Sequence, residues 1–437
     1  MSAPAVNHAP AGEKHSQFTS SDRPTWDLYS QCIHCGLCLN HCPTYRILGT
    51  EMDSPRGRIY QVLLVDEGRL TIADSFVTHL DRCLGCRACE TACPSGVHYG
   101  RILERARTEI EQNYRRPLLA RLLRRYFYTR VLRDNGELAR MARLLRWYQR
   151  TRLDKLVRAT GILKLVGLAD VEKLAPPVDG DFFFSEFGMM FPAIGERRAR
   201  VALLGGCIAS VAFSELNRAT IRVLRQNGVE VHVPEGQRCC GALQAHGGYL
   251  EEARRNARRN VNVFLSGDFD AIVTNAAGCG ATLKEYGDLL GNDPEYAQKA
   301  SQFAAKVKDV AEFLSGIGLR APRFKVGKRV TYQDPCHLAH GQKVRSAPRE
   351  LLEAAGADLV EMRHPDWCCG SAGTYNVTQQ ELASQVLTVK MDEVSETRAD
   401  IIVTANVGCM LQLRAGVAQR GLSMEVKHVI ELLDGVY

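Results

Sequence analysis

Short apolar runs alternate with amphipathic segments through the second half of the chain. Val201–Leu204, Val229–Val233 and Ala271–Thr274 have the length and the β-branched content of buried strands. Between them, Ser214–Gln226 and Glu251–Phe264 carry apolar side chains at helical spacing. Strands that alternate with helices in this way predict a parallel sheet with helices on its faces.

This pattern occurs twice after residue 200, so the sequence predicts two repeated α/β units. Each repeat carries one cysteine, then a Cys-Cys-Gly turn, then a final cysteine, and each cysteine follows a predicted strand. They are Cys207, Cys239, Cys240 and Cys279 in the first repeat and Cys336, Cys368, Cys369 and Cys409 in the second. Carboxyl ends of parallel strands meet at one edge of a sheet, so we expect the four thiols of each repeat to converge there. A metal or redox role is the favoured interpretation; ordinary buried thiols and a disulfide-exchange site remain the alternatives.

A helical pattern dominates the first hundred residues. In DSPRGRIYQVLLVDEG, Ser54 is the expected N-cap, Pro55 fits the first turn and Gly68 can end the helix. Residues 1–25 are polar and lack an apolar run, which predicts a disordered arm and no secretory signal. No stretch approaches eighteen apolar residues, so we expect no membrane-spanning helix.

Arginines and leucines dominate the segment between these regions. From Arg101 to Lys164 the chain has 18 Lys and Arg against 6 Asp and Glu, a net charge of +12, although the whole chain carries only +7. Apolar pairs such as Leu118–Leu119 and Leu144–Leu145 recur at helical spacing and predict two or three amphipathic helices. The helices are interpreted as a solvated connector or as a dock for a partner or an anionic membrane surface. No nucleic-acid recognition fold accompanies them.

Proline and glycine interrupt the stretch that follows. PPVDGDFFFSEFGMMFPAIGERRAR contains Pro176, Pro177, Gly180, Gly188, Pro192 and Gly195. We therefore predict a linker without a regular element.

The cysteines add a chemical prediction to these structural ones. Sixteen of the 437 residues are cysteines, and half of these lie in two short runs. CIHCGLCLNHCP and CLGCRACETACP both fit C-x2-C-x2-C-x3-C-P, the run that binds [4Fe–4S] clusters in two-cluster ferredoxins. There the fourth cysteine of each run binds the other cluster. We therefore predict one cluster on Cys32, Cys35, Cys38 and Cys93, and a second on Cys83, Cys86, Cys89 and Cys42.

Zinc is the main alternative for these thiols. Four-thiolate zinc sites use two C-x2-C pairs, which would leave half of the eight cysteines without a role. Arg56 and Arg58, between the two runs, could hydrogen-bond near a cluster, but we interpret them as surface or packing residues and do not count them in the site.

The motifs as a set resemble a known family. The Cys-Cys-Gly repeats are similar to the CCG domains of heterodisulfide reductase. From about Asp27 onwards, CIHCGLCLNHCPTYRILG, MDSPRGRIY, HLDRCLGCRACETACPSGV, GCGATLKEYG, CCGSAGTY and IVTANVGC resemble iron–sulfur subunits of glycolate oxidase, also called glycolate dehydrogenase.

The resemblance implies an oxidoreductase subunit that relays electrons. A partner flavin subunit would oxidise glycolate to glyoxylate, and this chain would carry electrons towards a quinone-type membrane acceptor, with no catalytic residue of its own. No G-x-G-x-x-G follows a strand, so no flavin or NAD site is expected here. The alternatives are the equivalent subunit of a lactate or anaerobic glycerol-3-phosphate dehydrogenase and, in a different class, a zinc-stabilised scaffold.

The repeats depart from the full CCG motif, which ends in C-x2-C. Thr282 and Gln412 stand where that motif has its last cysteine. Each repeat therefore has four thiols, and an additional iron–sulfur centre in the repeats stays open. His246, His337 and His364 are the candidate substitute ligands, but ordinary polar contacts are the favoured interpretation for each of them.

The predicted organisation has five parts. They are a disordered arm over 1–25, an all-helical ferredoxin domain with two [4Fe–4S] clusters over 26–112, a basic helical connector and linker over 113–198, and cysteine-rich repeats over 199–322 and 323–437. The fold class is α+β multidomain. We expect a cytoplasmic protein that lies peripherally on the inner face of the cell membrane.

Overall fold

Two units of the chain fold around separate hydrophobic cores. The structure is a computed structural model that describes residues 16–161, 172, 175–178 and 180–437. The first unit comprises the chain up to Arg121 together with Ala245–Leu250, and the second comprises Leu122–Gln244 and Glu251–Tyr437.

Helices build the first unit, as predicted. They are α1 (Trp26–Tyr29), α2 (Pro43–Leu48), α3 (Pro55–Asp66), α4 (Asp74–Asp81), α5 (Ala88–Thr91) and α6 (Tyr99–Asn113). The Ser54 hydroxyl accepts a hydrogen bond from Gly57 N (2.9 Å) and begins α3, which is the expected cap. Gly68 adopts a positive φ of 69° just beyond the end of this helix. The core contains Val62, Phe76 and Ile102.

The prediction of a disordered arm over 1–25 is wrong for residues 16–25. Phe18 is buried in the first core, and Gln17 N donates to Val65 O (3.1 Å). The amides of Thr19 and Ser20 both donate to the Glu109 carboxylate (2.9 Å each). One phenylalanine in a polar stretch is too weak a signal to predict packing from sequence. Residues 1–15 lie outside the described residues.

The arginine-rich segment forms helices at the expected places. They are α7 (Leu118–Tyr126), a π-helical turn (Phe127–Val131), α8 (Asn135–Arg150) and α9 (Leu153–Ala159). Asp134 caps α8 by accepting from Gly136 N (2.7 Å) and Glu137 N (3.2 Å). No described side chain of α7 is buried, and Leu119 is 70% exposed.

Two sheets form the second unit, one for each repeat. The first has β1 (Met190–Phe191), β2 (Ala199–Leu203), β3 (Val229–His232), β4 (Ala271–Thr274) and β5 (Val307–Asp309) in the order β1-β3-β2-β4-β5. The second has β6 (Arg329–Tyr332), β7 (Asp358–Leu359), β8 (Ile401–Thr404) and β9 (Glu425–His428) in the order β7-β6-β8-β9. Apart from β1, the strands pair in parallel, and Val201 lies opposite Ala271 as Val330 lies opposite Ile401.

Helices connect these strands. In the first repeat they are α10 (Cys207–Ala212), α11 (Ser214–Gln226), α12 (Ala242–His246), α13 (Leu250–Leu265), α14 (Ala277–Lys284), α15 (Tyr286–Leu289), α16 (Ala297–Lys306) and α17 (Val310–Ile317). In the second they are a π-helical turn (His337–Gly341), α18 (Ser346–Ala354), α19 (Tyr375–Thr378), α20 (Gln380–Thr397), α21 (Val407–Arg420) and α22 (Val429–Asp434). Repeated α/β units with parallel strands are therefore confirmed.

The predicted linker contains more structure than its prolines and glycines suggested. Strand β1 pairs antiparallel with β3, and Phe183 is completely buried in a 3₁₀ turn (Phe183–Glu186). A two-residue edge strand is too short to produce an alternating pattern, so it could not be predicted.

In the described part of the chain, no helix is both long enough and apolar enough to cross a membrane.

Candidate iron–sulfur sites

An open concavity in the first unit gathers the thiols of the first predicted set. Its lining includes Cys32, Cys35, Cys38 and Cys93 together with Cys89 of the second predicted set, around about 420 Å³ of non-protein space that is open to solvent. Within the first set, Cys35 is exposed, whereas the other three are half-buried. Three thiols of this set come from the first cysteine run, and the fourth comes from the end of the second run.

Tight turns shape the loop that carries the first three thiols. Cys32 N donates to Tyr29 O (3.1 Å), and Leu39 N donates to Gly36 O (3.0 Å). Gly36 has a φ of 86°, and a Cβ there would lie 2.9 Å from Arg56 Nη1. A side chain at this position would strain the backbone and would displace the end of the Arg56 side chain, so glycine is favoured there.

The second predicted set also comes from both runs. Burial raises the pKa of Cys89 well above its usual value, and the neighbouring sulfurs of Cys86, Cys83 and Cys42 add to the effect. Cys42, from the first run, therefore lies within electrostatic range of Cys89 in the second run. The two ligand sets themselves remain a prediction from the ferredoxin pattern.

Hydrogen-bond donors point at the sulfur of Cys83. Gly85 N lies 3.4 Å from Cys83 Sγ, and Tyr99 Oη donates to the same sulfur at 3.6 Å. Such donors stabilise a thiolate ligand, and hydrogen bonds to ligand sulfurs influence cluster potentials.

Burial favours the neutral thiols when no metal is bound. It raises the pKa of Cys38 to about 11 and also raises the pKa of Cys32. Metal ligands must be deprotonated, so cluster binding here would release protons.

The two arginines between the runs lie closer to the thiols than a surface or packing role predicts. Arg58 is 1% exposed, and its Nη1 lies 4.0 Å from Cys42 Sγ. Arg56 lines the concavity of the first set and donates to His34 O (3.0 Å). Their spacing of two residues within DSPRGRIY was the only available signal, and it did not show which arginine points inward.

Sulfur atoms lie much closer together in the repeats. Cys207 at the start of α10 lies beside Cys239, with 3.4 Å between their sulfurs. Hydrogen-bond contacts also join Cys239 to Cys240 and Cys240 to Cys279. The first repeat therefore brings its four thiols together at the carboxyl ends of β2, β3 and β4.

The second repeat has the same arrangement. Its side-chain contacts join Cys336 to Cys368, Cys368 to Cys369, and Cys369 to Cys409. Contact with Cys368 and burial raise the pKa of Cys336 well above its usual value. Either a metal centre or thiol–disulfide chemistry is compatible with this proximity.

The segments that carry the closing cysteines of the two repeats are in contact. Ala277 N donates to Ala405 O (3.3 Å), Gly278 N donates to Asn406 Oδ1 (3.4 Å), and Gln342 Nε2 donates to Ala277 O (3.0 Å). Ala277 and Gly278 directly precede Cys279, and Ala405 and Asn406 lie just before Cys409.

One buried polar position distinguishes the repeats. Aligning the buried faces of α13 and α20 pairs Asn260 with Lys390, and both side chains bind the loop that precedes the cysteine pair. Asn260 Nδ2 donates to Cys239 O (3.2 Å), whereas Lys390 Nζ donates to His364 O (2.7 Å) and Pro365 O (3.3 Å). The second repeat therefore has a buried cation where the first has a neutral amide.

The three histidines have other contacts. His246 Nδ1 lies 2.7 Å from Glu104 Oε1, and His364 bonds to Glu393 and stacks on Trp367 with 3.8 Å between ring centroids. His337 begins the π-helical turn after Cys336. Within residues 16–161, 172, 175–178 and 180–437, no three His, Cys, Asp or Glu side chains converge as ligands of a single ion.

Family models match most of the chain. A 4Fe-4S dicluster domain matches residues 29–97, and a cysteine-rich domain matches residues 201–284 and 330–414. The linker region of glycolate oxidase iron-sulfur subunits matches residues 119–175. A dicluster domain followed by paired cysteine-rich domains defines an iron–sulfur electron-transfer protein.

Similarity to curated relatives identifies a family within this class of electron-transfer proteins. The chain is 38% identical to a probable glycolate oxidase iron-sulfur subunit of Bacillus subtilis, over 92% of both chains. It is 36% identical to the glycolate oxidase iron-sulfur subunit of Escherichia coli, over 92% of this chain and 93% of that one. The chain belongs to the family of glycolate oxidase iron–sulfur subunits. Lactate utilization protein A of Oceanobacillus iheyensis is 30% identical over 54% of this chain.

Proposed function

We propose that this chain relays electrons from a flavin-bearing partner that oxidises glycolate to glyoxylate to a quinone-type acceptor. Oxidation of glycolate releases two electrons and two protons, which a flavin can accept together. A [4Fe–4S] cluster carries one electron at a time. Reduction of a quinone to quinol would consume two electrons and two protons.

The grouping of thiols in the first unit carries this proposal. Cys93 completes the first set, and Cys42 lies with the second set, so each of the two runs contributes to both groups. This exchange brings two electron carriers close together. The proposed ligands are Cys32, Cys35, Cys38 and Cys93 for one cluster and Cys83, Cys86, Cys89 and Cys42 for the other.

An additional centre in the cysteine-rich repeats is part of the proposal. Each repeat groups four thiols, the segments before the closing cysteines of the two repeats are in contact, and adjacent cysteines such as Cys239 and Cys240 can serve neighbouring irons of a cluster. The same thiols could instead cycle between dithiol and disulfide forms, which would move two electrons and two protons.

Iron and acid-labile sulfide analysis of anaerobically purified chain tests the cofactor content. We expect at least about eight irons per chain, as two cubanes require. Zinc without sulfide would favour a zinc-stabilised scaffold and contradict the relay.

Co-purification tests the partner and the substrate. We expect a flavoprotein to accompany this chain and the complex to reduce a quinone analogue with glycolate. Lactate is the comparison substrate, because lactate utilization protein A is also a relative. Activity with lactate alone would contradict glycolate as substrate.

A peripheral membrane contact is supported by α7. Leu118, Leu119, Leu122 and Leu123 are 55–70% exposed on one face, while Arg121, Arg124 and Arg125 occupy the other. Interfacial helices combine leucine and arginine in this way. We expect charge reversal at the three arginines to release the complex from vesicles that contain anionic lipid. Unchanged binding to those vesicles would contradict the membrane contact.

A further inference from the structure

A completely buried guanidinium lies beside the second proposed set of ligands. Arg58 on α3 is 1% exposed, and its Nη1 is 4.0 Å from Cys42 Sγ. A buried charge is unfavourable unless neighbouring groups compensate for it. The groups around Arg58 therefore indicate what its charge is for.

Neutral hydrogen-bond acceptors hold the Arg58 guanidinium in place. Its Nε donates to His79 O (2.7 Å), and both terminal nitrogens donate to Thr44 Oγ1 (3.1 Å each). Thr44 Oγ1 in turn donates to Asp53 O (2.7 Å) and lies 3.2 Å from Cys42 Sγ. The arginine therefore holds the threonine that flanks the cysteine, and neither can move independently.

The only carboxylate that contacts Arg58 in the described residues is shared with other side chains. Asp53 is 1% exposed and lies 3.4 Å from Arg58 Nη2, but the same carboxylate also pairs with Arg82 Nη1 at 3.2 Å. His79 Nδ1 lies 3.0 Å from Asp53 Oδ1 as well. The contact with Arg58 is therefore the longest of the three that this carboxylate makes.

A cysteine sulfur lies against the other end of the guanidinium. Arg58 Nη1 is 4.0 Å from Cys42 Sγ, and Thr44, which accepts from both terminal nitrogens of Arg58, is 3.2 Å from the same sulfur. The buried cation therefore faces a ligand of the second proposed cluster.

Arg56 provides a natural comparison beside the other ligand set. Its guanidinium is neutralised by Glu51, which accepts from Nε (2.7 Å) and Nη2 (3.0 Å). The Arg56 side chain is 29% exposed, so water screens what remains of its field. The two arginines of DSPRGRIY therefore differ in burial and in how closely a carboxylate pairs with them.

We propose that Arg58 is a positioning residue that raises the reduction potential of the cluster bound through Cys42. The proposal rests on the proposed function, in which this chain holds two clusters. Reduction adds one electron, supplied by the flavin partner, to a thiolate-bound cluster, and no bond is broken. A fixed cation stabilises the added negative charge, so it favours the reduced form.

Redox titration of the full chain, purified anaerobically and followed by electron paramagnetic resonance, tests this role. In Arg58→Met we expect the ratio of reduced to oxidised cluster at a fixed potential to fall at least tenfold, which is about 59 mV for one electron. Asp53→Asn removes a negative charge and should shift the potential of the same cluster upwards. Arg58→Lys should retain most of the wild-type potential, and Arg56→Met, the matched control, should leave this cluster unchanged.

Opposite shifts in Arg58→Met and Asp53→Asn support an electrostatic role, because mere damage to the fold would not change sign with charge. If Arg58→Met loses iron, the other two variants test the electrostatic role. An upward shift of the potential in Asp53→Asn together with a retained potential in Arg58→Lys supports it. If Arg58→Met and Asp53→Asn bind both clusters but have unchanged potentials, or if their potentials shift in the same direction, the role of Arg58 is contradicted. The proposed function is not affected by that result. A wild-type chain without iron and sulfide contradicts the proposed function itself.

Discussion

The first unit and the cysteine-rich repeats hold their thiols in contrasting ways. In the first unit, Cys35 is exposed, and five cysteines line an open concavity, three of them on a loop of tight local turns. In the repeats, the sulfurs touch one another, as the 3.4 Å between Cys207 and Cys239 shows, and they are assembled from loops after separate strands.

Local turns position the cysteines of the first unit, whereas tertiary structure positions those of the repeats. A run such as CIHCGLC places three ligands within seven residues, so the turns of that loop largely determine where they lie. The repeats bring together cysteines more than thirty residues apart, so their geometry depends on the register of a whole sheet. We expect damage to remain local in the first unit and to spread in the repeats.

Replacement of one proposed ligand in each region should have the largest effect. Cys89→Ser should remove about four irons per chain and abolish electron flow to a downstream acceptor, while the flavin partner is still reduced by substrate. Cys279→Ser, the matched change in the first repeat, should leave the eight irons of the first unit in place. Iron analysis and acceptor reduction measure both results, and normal acceptor reduction in Cys89→Ser would contradict its assignment.

Glycines next to the cysteines should respond unequally. A Cβ on Gly370 would lie 2.5 Å from Ala383 O at a φ of 89°, whereas a Cβ on Gly85 would meet only Leu103 Cδ2 at 3.7 Å. Gly370→Ala should therefore destabilise the chain by about 3 kcal/mol or more, since backbone must move. Gly85→Ala should cost about 1–2 kcal/mol from its positive φ alone.

Urea denaturation measures this pair of variants. Equal losses in the free energy of unfolding would show that the space around the cysteine pair does not constrain the repeat. The greater loss in Gly370→Ala would show that α20 packs against this turn as the distances indicate.

The buried positions that distinguish the two repeats should also differ in stability. Asn260→Leu leaves Cys239 O and Arg238 N without this partner, which should cost about 1–3 kcal/mol. Lys390→Met removes comparable hydrogen bonds but also removes a buried charge, and burial already lowers the pKa of Lys390. We therefore expect the smaller loss for Lys390→Met in metal-free protein.

Thermal unfolding of the two metal-free variants tests the order. A greater loss for Lys390→Met would mean that its charge is well compensated in the apo protein. That result would contradict the prediction that Asn260 contributes more to stability than Lys390.

The smallest expected effect concerns the cap of α3. Ser54→Ala removes the acceptor for Gly57 N and should cost about 1 kcal/mol. Ser54→Thr keeps the hydroxyl and should retain most of the stability. Equal losses in the two variants would show that the cap does not determine where this helix begins.

Sequence patterns predicted several elements closely. Helix α11 begins and ends where its apolar spacing indicated, and Pro55 opens α3 as expected. The edge strand β1 and the packing of Phe18 were missed, because a two-residue strand and a single buried ring leave no periodic signal. Both depend on contacts with residues far away in the chain.

Cysteine spacing determined the two-cluster motif and the repeat, and the stretches around the cysteines, such as MDSPRGRIY, determined the family resemblance, since these depend on residue identity and local order. Only the tertiary structure decided which arginine of DSPRGRIY is buried beside Cys42, and that Lys390 takes the place of Asn260 in the second repeat. The physical reason is that burial and net charge belong to a neighbourhood in space. A sequence lists the charges, but folding determines which of them share one carboxylate and which of them meet water.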